Sequence, residues 1–147
     1  MKVLRRAAAI LVLSGAIGSF ATAAWADAPP PTQGGNGAGQ ITVAALTAMA
    51  EATFGDLVKA VVDVQRGLLA VDAGMHSDLE ALLLDAGSRQ GDLWGINLYP
   101  AEFGAAGFLE LDSLINLRPG QGNRTRSVDD PDARAAIEAL VGRVVVP

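Results

Sequence analysis

The sequence predicts an α+β domain in which a small antiparallel sheet of four to five strands is flanked by an N-terminal and a C-terminal helix. Short apolar runs follow one another between residues 57 and 117, and brief glycine-containing breaks separate them. This spacing favours antiparallel hairpins over helical crossovers. Segments with helical periodicity lie before and after the runs. We expect these two helices to cover one face of the sheet, because a bare sheet would bury too little apolar area.

The first helix is predicted for residues 42–54, where the apolar residues lie close to one helical stripe and Gly55 follows. Residues 57–64 alternate apolar and polar side chains and are rich in valine, which favours a strand. A helix continuing through Gln65 is the alternative for this segment.

Four further strands are predicted, at residues 68–72, 75–85, 92–99 and 108–117. Trp94 and Gly95 lie in the middle of one of them. A tryptophan at such a position is typical of core packing, and the glycine beside it indicates a bulge or a close approach of another segment.

The last predicted element is a helix that begins at the step Asp129-Asp130-Pro131. Asp129 or Asp130 is suited to cap it, and proline fits the first helical turn. One face of this helix is apolar, and Arg143 near its end suits the helix dipole. The apolar residues are Ile137, Leu140, Val141 and Val144.

The N-terminus has the pattern of a secretory signal. Lys2, Arg5 and Arg6 precede an apolar run of about fourteen residues, and Ala24-Trp25-Ala26 is a small-x-small cleavage site. The run is short for a membrane span. We expect cleavage after Ala26 and a periplasmic or extracellular protein, with membrane attachment only where the segment stays uncleaved. Residues 27–40 are rich in proline and glycine and predict a flexible linker, which leaves residues 41–147 as one domain.

The charge and the cysteine content of the chain limit the classes of function and of stabilising bonds to consider. The chain has 11 basic and 16 acidic residues, and loss of residues 1–26 would leave a net charge of −8. An acidic protein of this kind is poorly suited to neutralising phosphates, so we expect no nucleic-acid partner. The absence of cysteine means that no disulfide supports the fold in an oxidising compartment.

Four short motifs stand out between residues 76 and 124: His76-Ser77-Asp78-Leu79-Glu80, Trp94-Gly95, Ser113-Leu114-Ile115-Asn116-Leu117-Arg118-Pro119 and Gln121-Gly122-Asn123-Arg124. Together they resemble the motifs of a family of small bacterial proteins known only as a domain of unknown function. The similarity covers roughly residues 57–143 and implies a fold unit without an assigned reaction. The signal and the linker depart from the bare domains of that family, and Asp72-Ala73-Gly74 replaces its paired glycines.

The first candidate site consists of His76, Asp78 and Glu80. On the predicted strand these residues share one face, at about 6.8 Å between neighbours. A histidine with two carboxylates is a ligand set for divalent metals and also a candidate base with its partners. A neighbouring strand would have to complete a metal site, with Asp112, Glu110 or Asn116 as the added ligand. A solvated sheet face is the alternative interpretation.

The second candidate site is the glycine-rich loop that contains Arg118, Asn123, Arg124 and Arg126. Guanidinium groups bind phosphate or carboxylate through forked hydrogen bonds, so the loop is a candidate anion site. A loop held to the body of the protein by arginine hydrogen bonds is the alternative.

Two functions follow from these patterns. The first is an exported module that binds a protein partner or a small anion without catalysis. The second is a small metal-dependent or acid–base hydrolase that uses the His76, Asp78 and Glu80 face together with Arg118 and Arg124. The sequence leaves open whether the protein is an enzyme.

Overall fold

The structure is a computed structural model that describes residues 9–12 and 39–147. The predicted signal lies outside the described residues except for its segment Ala9–Val12. The predicted linker lies outside them except for Gly39 and Gln40. In these two described ranges, no helix has the length and apolar character needed to cross a membrane.

The described residues form an α+β fold, as predicted. Five strands make one antiparallel sheet in the order β1-β4-β3-β5-β6, and β2 and β7 form a short parallel pair. In chain order, the elements are β1 (Ala9–Val12), β2 (Ile41–Thr42), α1 (Val43–Thr53), β3 (Val58–Asp63), β4 (Leu68–Val71), α2 (His76–Asp85), β5 (Leu93–Leu98), β6 (Leu109–Glu110), α3 (Pro131–Val144) and β7 (Val145–Val146).

The two flanking helices form where the sequence predicts them. Thr42 caps α1, because its hydroxyl oxygen accepts a hydrogen bond from the backbone N–H of Ala45 at 3.1 Å. The Asp130 carboxylate caps α3 by accepting from Asp132 N at 3.0 Å, and Pro131 occupies the first turn. The predicted apolar face of α3 is buried in full.

The strand predicted for residues 57–64 is confirmed as β3, which forms a hairpin with β4. The buried Asp63 carboxylate shapes the turn between them. Its Oδ1 accepts hydrogen bonds from Gln65 N at 3.0 Å and from Arg66 N at 2.9 Å. A carboxylate at this position satisfies turn N–H groups that have no ladder partner.

The strand predicted for residues 75–85 is wrong, because this segment is the helix α2. It contains no β-branched and no aromatic residue, and leucine, alanine and glutamate favour a helix. His76, Leu79 and Leu83 fall on one helical face and are buried against the sheet. Gly87 follows the helix with φ of +97°, a conformation that glycine adopts without strain.

The strand predicted for residues 108–117 is mostly wrong. Only Leu109–Glu110 pair with β5, and the chain then turns into a 3₁₀ turn at Leu114–Asn116. The Ser113 hydroxyl accepts a hydrogen bond from Ile115 N at 3.3 Å, and this local contact competes with extended pairing.

The sheet separates two apolar clusters. On one face, α1 and α3 cover β3, β4 and β5, as expected, and the second face is covered by α2 together with Ile115. The fully buried residues of the first cluster include Leu46, Val62, Leu69, Ile96 and Ile137. Those of the second cluster include Val61, Ala70, Leu79, Leu83 and Leu93.

Candidate functional site

His76 is the first residue of α2 and not a member of a strand. Residues two apart on a helix point in different directions, so His76, Asp78 and Glu80 do not share one face. His76 is buried, Asp78 is exposed and Glu80 is half-buried. Within residues 9–12 and 39–147, no three His, Asp or Glu side chains lie close enough together to hold a metal ion.

The His76 ring is fixed by a hydrogen bond to the neighbouring strand. Its Nε2 donates to the carbonyl oxygen of Ile96 in β5, at 2.8 Å. Since a carbonyl only accepts, Nε2 carries the proton and Nδ1 of the neutral ring is an acceptor. Burial lowers the pKa of His76, and Lys59 acts in the same direction. The hydrogen bond to Ile96 and the side chain of Asn97 oppose this shift. The imidazole is therefore neutral at pH 7.

Asn97 lies beside this ring and belongs to a group of polar side chains on the same face of the sheet. Its Nδ2 donates to Glu110 Oε2 at 2.8 Å and to the backbone oxygen of Asp112 at 3.2 Å. The Tyr99 hydroxyl donates to the same Glu110 oxygen at 3.1 Å. We call His76, Asn97, Tyr99 and Glu110 the polar cluster.

The strand register explains why the polar cluster forms. Asn97 is paired with Lys59 of β3 on one side and with Glu110 of β6 on the other. Side chains that are directly opposite across antiparallel strands lie on the same face. The helix α2 begins at His76, and the ring of this residue reaches the Ile96 carbonyl next to Asn97. The Oδ1 atom of Asn97 is buried and has no hydrogen-bond donor in the described part of the chain.

Arg118 is committed to contacts inside the protein. Its guanidinium donates to the carbonyl oxygens of Gln90 and Leu93, the latter at 2.6 Å, and lies 4.2 Å from the centre of the Trp94 ring. Burial lowers the pKa of Arg118, while the carboxylates of Glu80 and Asp92 act in the opposite direction. An arginine group that spans two carbonyls and stacks on an aromatic ring holds its loop in place.

Asn123 is also a structural residue of this loop. It is 3% exposed, and its Nδ2 donates to three backbone oxygens, those of Asn116, Thr125 and Ser127. Its Oδ1 accepts from Asp129 N at 2.7 Å. The side chain therefore uses its hydrogen-bonding capacity to fold the loop around itself.

The two remaining arginines differ from each other. Arg126 forms an ion pair with Asp112, at 2.7 Å between Nε and Oδ1. Arg124 is exposed, and its backbone N–H donates a hydrogen bond to the Asp129 carboxylate. That bond and the stronger one from the Thr125 hydroxyl lower the pKa of Asp129. Of the four predicted anion-binding residues, three thus make side-chain contacts within the protein, and Arg124 is exposed.

Asn97 and Tyr99 were not among the residues that the sequence patterns predicted for a site. An asparagine two residues before a tyrosine in a predicted strand places both side chains on one face but does not show which residues lie opposite them. The residue that pairs with Asn97 could be found only from the register of β6, and β6 was predicted to be much longer.

The outer edge of β4 is covered by the strand β1. Ala9–Val12 pair with β4 in antiparallel register, from Ala9 opposite Val71 to Val12 opposite Leu68. All four residues of β4 are apolar and buried, and they alternate between the two clusters of the core. The opposite edge of the sheet is protected, because β6 has two residues and one of them is the charged Glu110.

A shallow groove of about 430 Å³ lies between α3 and the segment around β6. Phe108, Leu109 and Leu111 contribute apolar lining, whereas Arg134 and Glu138 of α3 contribute charge. This groove contains none of the predicted site residues.

Comparison with known proteins gives one match. The family model described as "Protein of unknown function (DUF5674)" matches residues 38–144. Neither a curated protein nor a solved structure matches the chain. The match spans β2 to the end of α3 and includes both the polar cluster and the glycine-rich loop with Arg118, Arg124 and Arg126. The chain therefore belongs to this family of proteins of unknown function.

Proposed function

We propose that the protein is an exported interaction module that binds an extended polypeptide segment at the outer edge of β4. The pairing of Ala9–Val12 with Leu68–Val71 carries this proposal. Ala9–Val12 belong to the predicted signal, so the mature chain, residues 27–147, would lack them. Its β4 would then be an edge strand.

An edge of this kind is suited to accept a strand. Its backbone N–H and C=O groups on the outer side have no partner once the covering strand is absent, and they form a template for another chain. Natural edges are normally protected by charge, proline or short length. Leu68–Val71 have no charge and no proline.

The chemistry of the edge defines the class of ligand. β4 lies between the two apolar clusters, with Leu69 and Val71 in one and Leu68 and Ala70 in the other. A strand added beside it places successive side chains next to alternate clusters. Burying a charge there would be costly. The ligand is therefore an extended segment of at least four consecutive apolar residues, in which backbone hydrogen bonds give affinity and side chains give selectivity.

The test uses the mature chain, residues 27–147, and a fluorescent peptide with the sequence of residues 7–14 and a charged solubilising tail. We expect saturable binding by fluorescence anisotropy. Two further peptides carry N-methyl groups on alternate backbone amides, in the two complementary phases. Alternate amides of an edge strand face its partner, so one methylated peptide should lose binding and the other should keep it.

Equal binding of both methylated peptides would indicate apolar adhesion without strand pairing and would contradict the proposal. No binding of the parent peptide would contradict it as well. The peptide with Leu11→Pro serves as a matched control, since proline cannot donate in a ladder.

Acid–base catalysis by His76 is a second candidate function. It is favoured by the hydrogen bond from Nε2 to Ile96 O, which leaves Nδ1 of a neutral ring as a proton acceptor beside Asn97. Ester and phosphoester substrates should be compared with the parent protein and with His76→Gln. Turnover that is lost in the variant would support this candidate, and equal turnover in both would assign the activity to a contaminant.

A further inference from the structure

We infer that the uncleaved chain masks its own binding edge, so that removal of the N-terminal segment switches binding on. This inference rests on the proposed function and concerns the regulation of the same edge. Ala9–Val12 occupy all four positions of β4 in the full chain. A strand edge accepts one partner at a time, so a ligand strand and the N-terminal strand exclude each other.

The connection between β1 and β2 gives the internal strand an advantage. Residues 13–40 join them covalently, and a covalent connection makes the pairing intramolecular, so that the internal strand acts at an effective concentration in place of a solution concentration. A ligand in solution must compete with it. The apparent affinity then falls in proportion to the fraction of molecules whose edge is free. We expect the full chain to bind at least about tenfold more weakly than the mature chain.

The same pairing also affects the predicted signal itself. Ala9–Val12 are part of its apolar region, and in the folded chain their backbone takes part in the sheet. Cleavage after Ala26 would therefore remove the strand that covers the edge of β4.

The experiment uses the full chain with a specific protease site inserted after Ala26. Binding of the fluorescent peptide of residues 7–14 is measured before cleavage, and again after cleavage and removal of the released fragment. We expect binding to rise at least about tenfold on cleavage, in line with the freed fraction of edges. In the uncleaved chain, Leu11→Pro should raise binding in the same way, whereas Leu11→Val should not.

Hydrogen–deuterium exchange gives a second readout that needs no peptide. Amides of Leu68–Val71 that face β1 should exchange faster after cleavage, and amides of β5 should not change. Equal peptide binding and equal β4 exchange before and after cleavage would overturn masking and leave the binding function intact. Absence of peptide binding in both forms, with faster β4 exchange after cleavage, would instead reject the binding function. A dimer of the mature chain with protected β4 amides would identify a second copy as the strand that replaces β1.

Discussion

Asn116 replaces a strand partner for Gly95. Its Oδ1 accepts a hydrogen bond from Gly95 N at 2.8 Å, and its Nδ2 donates to Gly95 O at 2.9 Å. Since β6 pairs with only the last two residues of β5, the backbone of Gly95 would otherwise lack a partner on that side. One side chain thus provides the two hydrogen bonds that a neighbouring strand would make.

Replacement of this side chain should destabilise the fold strongly. Asn116 is fully buried, and its Nδ2 also donates to Arg126 O at 2.9 Å. Asn116→Ala leaves several buried backbone groups unpaired, so we expect the free energy of unfolding to fall by about 2–4 kcal/mol. Urea denaturation measures this. Leu114→Ala, at an exposed position of the same turn, should change it by less than about 0.5 kcal/mol.

Gly95→Ala should also be destabilising, for a steric reason. A Cβ at this position would lie 2.5 Å from both Cβ and Oγ of Ser113. We expect a loss of about 1–3 kcal/mol, because the strand and the turn must move apart. The control is Gly142→Ala in α3, where nothing lies within 4 Å of the added methyl group. That change should stabilise the helix by about 0.5–1 kcal/mol. Thermal unfolding of both variants in parallel separates the effect of the steric clash from the general effect of replacing glycine by alanine.

Arg118 and Arg124 should behave differently although both belong to the same loop. Arg118→Lys cannot reach both carbonyl oxygens and stack on Trp94, and we expect a loss of about 1–3 kcal/mol. Arg124→Lys should leave the free energy of unfolding unchanged within about 0.5 kcal/mol. Urea unfolding in phosphate and in chloride provides the measurement. A phosphate-dependent stabilisation that Arg124→Ala abolishes would favour the anion-site hypothesis instead.

His76 should make stability depend on pH. Burial lowers its pKa below the ordinary 6.5, so the folded chain prefers the neutral ring. The stability from this preference is complete above about pH 6.5 and decreases as the pH falls toward the folded pKa. Between about pH 7.5 and pH 5.5, the parent should therefore lose more stability than His76→Gln. Identical pH profiles from urea unfolding would contradict this, and NMR titration of the ring gives the folded pKa directly.

The predicted signal implies a specific N-terminus for the mature protein. In a bacterial host, we expect the secreted or periplasmic protein to begin at Asp27, because Ala24 and Ala26 fit a signal-peptidase site. Intact-mass analysis of the fractionated protein measures this. Ala26→Lys should block the cleavage, and a chain that still begins at Met1 in the parent would show that Ala9–Val12 stay attached.

The wrong strand prediction for residues 75–85 shows that local amino-acid composition decides between helix and strand more strongly than the length of the segment does. Its length and its glycine-containing borders suggested a strand, yet it lacks β-branched and aromatic residues. Helix propensity was the available signal. With a helix in this place, His76 meets Ile96 and Asn97, and the predicted alignment with Asp78 and Glu80 is lost.

For the glycine-rich loop with Arg118, Arg124 and Arg126, composition identified a notable segment but did not decide its role. Its arginines and glycines were equally consistent with anion binding and with internal anchoring. The decision for Arg118 depends on the carbonyls of Gln90 and Leu93, which lie more than twenty residues away in the chain. No local pattern predicts such a partner.

The sequence by itself determined the α+β class, both flanking helices and the strands β3, β4 and β5. It did so because caps, helical periodicity and β-branched alternation act between residues that are near each other in the chain. Only the tertiary structure decided that α2 is packed on the second face, that Asn116 replaces a strand, and that Asn97 lies beside His76 and donates to Glu110. These contacts join residues brought together by strand register, and register is an outcome of packing the whole sheet.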